Sequence, residues 1–277
     1  MKSILVGTDF SNGSLIALDI AVDMCRRTGL NLKIVWVKKN KILASSEQLE
    51  TTTHLAEDKL KSLCEKYQPQ LTKSTIEWMI LEGRVAEQIA ELARKLESPM
   101  IVIGTNGASG FEKYVMGSTA VRIVMESPCP VLTIREGYDH THGVHNIVVP
   151  IRTTPNSRQK VPHAIAAAKR TGAKIHNLGL LDTEQDRTAL ATYLKQVEER
   201  LAKEGVEYVT TMVKYEDYAD CVLNYADKVE AEMLVISTEQ NRKISSFFLG
   251  TNAQQIVHRS QIPVLCIHPE DLGTISR

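Results

Sequence analysis

The sequence predicts an α/β chain built as two tandem, doubly wound, five-stranded parallel-sheet domains related by a pseudo-twofold. Three observations carry this. Short apolar runs alternate with segments of helical period. The pattern is met twice along 277 residues. The two copies end in segments that superpose without a gap: Gly117-Ser-Thr-Ala-Val-Arg-Ile-Val-Met-Glu-Ser-Pro-Cys-Pro-Val-Leu-Thr-Ile134 over Gly250-Thr-Asn-Ala-Gln-Gln-Ile-Val-His-Arg-Ser-Gln-Ile-Pro-Val-Leu-Cys-Ile267.

Taken in order, Ser3–Thr8 is an apolar first strand. A helix from Ser14 to Thr28 follows, with Ala17, Ile20, Ala21 and Met24 spaced i, i+3, i+4, i+7. Gly29 stops it. Strands at Leu32–Val37, Thr75–Leu81, Met100–Gly104 and Val131–Ile134 complete the first copy. Before the fourth strand, Val85, Ile89, Leu92, Ala93 and Leu96 share one helix face. In the second copy Asn146-Ile-Val-Val-Pro-Ile-Arg152 stands over Ser3-Ile-Leu-Val-Gly-Thr-Asp9. A helix from Ser157 to Thr171 stops at Gly172, and a strand runs from Lys174 to Leu180. The offset between copies falls from 143 to 133, which predicts a shortening in the stretch answering to Lys38–Thr53. The domains are expected at residues 1–137 and 146–277, with a linker at 138–145. That linker holds His140, His142 and His145 beside Asp139. A polar connector is the reading adopted; a metal site is the alternative its ligand types allow.

Strand–helix alternation implies parallel pairing with right-handed crossovers. Ligands in such sheets sit at the carboxyl ends of the strands, where strand order reverses. Asp9 and Gly104 both fall on that rim. Gly104-Thr105-Asn106-Gly107, nine further residues, then Gly117-Ser118-Thr119 connect the fourth strand to a helix. Glycines beside a Gly-Ser-Thr helix start offer backbone N–H groups, hydroxyls and the positive end of a helix dipole to phosphate. Gly104 is expected to keep side chains off a ribose, and Gly107 to let the backbone approach phosphate. Asp9 would accept from ribose or adenine; its structural alternative is a carboxylate at a helix N-terminus. Ser11 is expected to cap the first helix. Asn106, Ser109 and Lys113 lie within reach of phosphate. No Gly-Lys-Ser/Thr is present, so this is not a P-loop.

These residues resemble the nucleotide-binding branch of the universal stress protein family, whose G-x2-G-x9-G-[S/T] pattern is matched by Gly104, Gly107, Gly117 and Ser118. The Asp9-Phe10-Ser11 step and the Pro-Val-Leu-Thr-Ile final strand match as well, and the resemblance spans nearly the whole chain. It implies a Rossmann-like fold of the adenine nucleotide alpha hydrolase type. It also implies binding of ATP, ADP or AMP, with Mg2+ or Mn2+ held mainly by phosphate oxygens and water. Thr8, Asp9, Val37, Gly104, Thr105, Asn106, Gly107, Gly117, Ser118 and Thr119 are the expected contacts, Val37 through its backbone to adenine. The family's domains pair through their last strands, so Val131–Ile134 and Val264–Ile267 are expected to pair within one chain. A homodimer and other protein partners remain open.

The second copy has lost most of the motif. Ser237 stands over Gly104, Gln240 over Gly107, Arg152 over Asp9 and Pro150 over Gly7; only Gly250-Thr251 survive. This copy is expected to serve as a structural partner, with an anion at Gly250–Thr251, served by Arg152 or Arg242, as its remaining binding option. The expected role is stress response or regulation in the cytoplasm. The enzyme alternative is a slow ATPase or phosphotransferase, but the motif supplies no fixed base or acid; His54 and Glu112 are unplaced. A nucleotide-free interaction scaffold is a third reading. An electron-transfer flavoprotein domain is a fourth, disfavoured by the tandem copies.

Charge and composition exclude several classes. Lys+Arg and Asp+Glu balance at 33 each, so no net field draws the chain to nucleic acid. No apolar run reaches the roughly 20 residues of a membrane span, and Met1–Gly7 reads as a strand, not a signal peptide. The five cysteines show no CxxC spacing and are expected reduced.

Overall fold

The computed structural model of the chain describes residues 2–38, 46–105, 117–238 and 251–268. The chain divides into two compact units, Met1–Gly137 and Tyr138–Arg277.

Unit 1 runs β1 (Ser3–Gly7), α1 (Asn12–Thr28), β2 (Asn31–Lys38), α2 (Ser46–Tyr67), β3 (Ile76–Glu82), α3 (Val85–Lys95), β4 (Ile101–Gly104), α4 (Ser118–Glu126) and β5 (Val131–Ile134). Its strands lie in the order β3-β2-β1-β4-β5, and all pairs are parallel. The order reverses at β1, which pairs with β2 on one side and β4 on the other. The apolar runs are buried on both faces, as a helix-covered parallel sheet requires: Leu5, Val6, Ile34, Ile101 and Val102 are inaccessible.

Helix α1 begins one residue after Ser11, whose hydroxyl accepts from Ser14 N–H at 3.3 Å. It ends at Gly29, at φ 73°, where glycine avoids a Cβ clash. Its buried stripe is Ser14, Ala17, Leu18, Ala21, Val22 and Cys25. Ile20 and Met24 are half-buried at the stripe's edge, so the face is rotated from the one the i, i+3, i+4, i+7 spacing predicts. Several such stripes fit this sequence, and contact with the sheet selects one.

Unit 2 repeats the pattern as β6 (Asn146–Ile151), α5 (Val161–Thr171), β7 (Lys174–Leu181), α6 (Arg187–Lys203), β8 (Tyr208–Lys214), α7 (Tyr218–Lys228), β9 (Met233–Ser237), α8 (Thr251–Arg259) and β10 (Val264–Ile267). Its order is β8-β7-β6-β9-β10, again parallel. Two features depart from the sequence expectation. Helix α5 starts at Val161, not Ser157, and a 3-10 turn at Pro155–Arg158 precedes it. Pro162 has no N–H for the Arg158 carbonyl, so an α-helical ladder cannot extend backward through that point. The shortening is also spread along the crossover. Helix α6 has 17 residues against 22 in α2, and the 3-10 turn Gln68–Gln70 that follows α2 has no partner after α6.

A half-buried polar chain links β6, β7, β8 and α7 of unit 2. His176 Nε2 lies 3.1 Å from Asn146 Oδ1, and Nδ1 lies 3.4 Å from Tyr225 Oη. Tyr225 Oη in turn meets Thr211 Oγ1 at 3.1 Å. Burial, with the nearby Lys174 ammonium, holds the imidazole pKa below its usual value, against the opposite pull of Glu232. The unfolded chain therefore binds the extra proton first as pH falls. Stability is complete above the ordinary imidazole value of 6.5 and declines below it, until the folded ring also protonates. Urea titrations from pH 8 to pH 5 are expected to show this decline, at no more than about 1.4 kcal/mol per pH unit from this group. His176→Gln is expected to flatten it.

Among the described residues no helix is long and apolar enough to cross a membrane. The cysteines are unbridged; Cys25, Cys129 and Cys266 are buried, and Cys64 and Cys221 half-buried.

Candidate functional site

The carboxyl ends of β1 and β4 lie side by side in unit 1, with Gly7 in register with Ile103. Beyond β1 the chain makes a tight, internally bonded turn. The buried Thr8 hydroxyl accepts from Phe10 N–H at 3.0 Å and lies 3.1 Å from Ser14 Oγ. Phe10 adopts φ 64°, a left-handed conformation that costs a non-glycine residue about 1–2 kcal/mol. The Thr8 bond holds it there, with Lys59 Nζ 5.1 Å from the centre of its ring. The turn leaves Asp9 exposed on the rim. Its Oδ1 accepts from Ser11 N–H at 3.1 Å and from Ser11 Oγ at 2.6 Å. Asp9 is thus held in one orientation by the residue that caps α1.

The ladder fixes the orientation of Val37. In a parallel pair, successive residues bond to opposite neighbours. The Val35 carbonyl accepts from Thr8 N–H at 2.9 Å, while the Lys38 carbonyl accepts from Gly83 N–H in the other direction. Val37 therefore turns its backbone N–H and carbonyl toward the β1 side, past the last residue of β1. Its side chain is buried.

Gly104 closes β4, and the structure gives this glycine a packing reason that the sequence did not show. A Cβ at Gly104 would lie 2.7 Å from the Gly13 carbonyl carbon and 2.8 Å from Ser14 N. The first turn of α1 itself forbids a side chain, independently of any ribose. Gly13 is the partner that sequence reading missed. Its signal was a second glycine in Ser11-Asn12-Gly13-Ser14, inside a helix start where a bulkier residue would do.

Thr105 is buried. Its N–H donates to the Ile134 carbonyl at 2.8 Å, and its own carbonyl accepts from Gly117 N–H at 2.9 Å. This clasp ties together the two ends of the segment between β4 and α4. Asn106 and Gly107 fall outside the described residues, as do Ser109, Glu112 and Lys113. Gly117 is the N-cap of α4 and supplies no side-chain cap. Its φ of −58° and ψ of 141° suit any residue, and among the described residues a Cβ there would meet the Thr105 carbonyl oxygen at an ordinary 3.5 Å. Among the described residues nothing in the fold requires glycine at this position. Ser118 is exposed and Thr119 half-buried in the first turn of α4, where N–H groups lack helical partners and the dipole favours an anion.

The corresponding rim of unit 2 is built differently. Arg152 replaces Asp9, with its N–H bonded to Ser157 Oγ at 2.7 Å and its guanidinium 5.3 Å from the centre of the Tyr218 ring. Ser237 replaces Gly104, and its hydroxyl donates to the Asn156 carbonyl at 3.5 Å. Asn156 stands where unit 1 has Gly13, so both glycines of the close contact are replaced together. Gln240, Arg242 and Gly250 lie outside the described residues. In the linker, His142 Nε2 lies 3.3 Å from Asp139 Oδ2 and His145 Nε2 2.9 Å from the His142 carbonyl. No cluster of three or more His, Cys, Asp or Glu side chains suited to a metal ion occurs among the described residues.

Comparison with known proteins follows the repeat. A family model described as the Universal stress protein family matches residues 1–135 and again 143–268. A universal stress protein of Methanocaldococcus jannaschii is 28% identical over 141 residues, covering 49% of this chain and 82% of that protein. A universal stress protein of Mycobacterium tuberculosis is 27% identical over 180 residues, covering 65% of each. In the solved structures, a universal stress protein from Archaeoglobus fulgidus is similar with a TM-score of 0.80 at 18% identity, over 96% of both chains.

Proposed function

We propose, for a chain that belongs to the universal stress protein family, that unit 1 binds one adenine nucleotide and that unit 2 does not. The observation that carries this is Gly117. Among the described residues the fold gives no reason for a glycine there, whereas close approach of a phosphate to the start of α4 would. Asp9 supplies a held carboxylate at the far side of the rim for ribose or adenine, and the Val37 backbone presents an acceptor and a donor to a base edge. Ser118 and Thr119 add hydroxyls at the phosphate end. Gly104, Thr105 and Thr8 shape the floor between these groups, and Asn106 and Gly107 complete the site in this reading.

The ligand is ATP, ADP or AMP. A divalent ion, Mg2+ or Mn2+, would supply charge neutralisation at the phosphates, held by their oxygens and water. Nucleotide occupancy serves regulation in the cytoplasm, in a stress response, and not turnover. The residues at this rim bind and orient, and Asp9 is already committed to Ser11. The domain at 146–277 acts as a tethered structural partner joined by residues 138–145.

Native mass spectrometry of the full chain, purified without nucleotide and then given ATP with Mg2+, tests this. One nucleotide per chain is expected, with affinity at least tenfold lower in Asp9→Ala. Two per chain, or none, overturns it. Steady hydrolysis lost in Asp9→Ala would replace regulation with the enzyme alternative.

A further inference from the structure

Unit 2 has a shallow, solvent-open pocket at its own rim. Arg152, Tyr218, Ser237 and Asn252 surround it, over a floor that includes Ile236 and Ile256. Three of the polar positions answer to Asp9, Gly104 and Thr119 of unit 1, so this is the same place in the fold with its chemistry inverted. The local backbone helps to leave it open. The β6–β9 ladder stops at Val148 and Leu234, and Pro150 has no N–H with which to continue it.

The groups facing this space are donors. A guanidinium presents up to five N–H bonds and no acceptor. The Asn252 amide can donate, and the Ser237 hydroxyl can do so only by turning from the Asn156 carbonyl it now reaches at 3.5 Å. Asn252 and Ala253 lie in the first turn of α8, where the dipole is positive. The face of Tyr218 holds the Arg152 guanidinium in place. Tyr215 hydrogen-bonds both Arg152 and Asp182; Asp182 is exposed and is not one of the residues lining the pocket. A nucleoside fits badly. Arg152 cannot accept from ribose hydroxyls as a carboxylate would.

We infer that this pocket binds a small oxyanion, phosphate or a short carboxylate, on the Arg152 guanidinium. The inference is independent of nucleotide binding in unit 1, and the test is arranged to keep the two apart. Isothermal titration of the full chain in low salt uses sodium phosphate and sodium acetate, with sodium chloride at matched ionic strength as control. All proteins carry Gly117→Val, which removes the unit 1 contribution. One oxyanion per chain is expected. Its affinity should fall at least tenfold on adding Arg152→Gln, which keeps the backbone bond to Ser157, and comparably on adding Asn252→Leu. The tighter of phosphate and acetate identifies the head group. Absence of uptake of both anions, or uptake unchanged in both added variants, overturns the inference. Circular dichroism of each variant verifies folding, and Asn252→Leu carries the test if Arg152→Gln does not fold.

Discussion

Replacing Gly117 with valine is expected to abolish adenine-nucleotide binding while leaving the fold of unit 1 in place. The backbone at this residue is open to any side chain, and a Cβ finds ordinary van der Waals distance to the Thr105 carbonyl. The Gly117 N–H bond to Thr105 is a backbone bond and survives. The cost to the protein is the lower preference for valine at a helix N-cap, about 1 kcal/mol. The cost to the ligand is far greater. A branched side chain stands where phosphate oxygens must approach the first N–H groups of α4. Loss of a hundredfold or more in affinity, about 2.7 kcal/mol, is expected. Titration with ATP and Mg2+ beside a urea unfolding curve measures both effects. A variant that folds and binds as well as the parent would remove Gly117 from the site.

Gly104→Val is expected to do the reverse: its first effect is on stability. The added Cβ would lie 2.7 Å from backbone atoms of Gly13, and backbone cannot rotate aside as a side chain can. Either β4 or the start of α1 must move. Overpacking of this kind costs about 1–3 kcal/mol when neighbours can adjust, and more is expected where both sides are main chain. Urea unfolding should show a loss of at least about 3 kcal/mol. Binding would fall too, as a consequence of displacing the turn that carries Asp9. The mirror change, Ser237→Gly, should be mild, because it removes only a long hydrogen bond to Asn156. A Gly104→Val protein as stable as the parent would refute the packing account.

These two glycines show what was legible in the sequence and what was not. The strands, their parallel class and the Ser11 and Gly29 helix ends follow from apolar runs, caps and the repeat, whereas the strand order comes from the ladders alone. The position of the rim follows too. The reason for Gly104 did not, because Gly13 lies far from it in sequence and nothing local in either residue announces their contact. The start of α5 was misplaced because the repeat invited a copy of α1, whereas Pro162 acts four residues upstream on the Arg158 carbonyl. Thr105 read as a loop contact from its place in the motif; its burial comes from pairing with Ile134, which only the β5 neighbour reveals. The partners of Arg152 also come from distant segments, Tyr215 and Tyr218.

The unbridged cysteines set how this protein meets oxidants. Burial pushes the Cys25 thiol up to about 12, and Cys64 is raised to about 11 by burial and the nearby Glu65 and Glu77. Cys221 and the fully buried Cys266 are raised as well. Peroxide attacks thiolate, and a thiol raised this far holds almost none of it at neutral pH. These four thiols are therefore slow to reach sulfenic acid and slow to be alkylated while the fold is intact. Four of the five cysteines thus offer an oxidant little to attack until the fold opens, so their modification would report unfolding and not exposure to the oxidant itself.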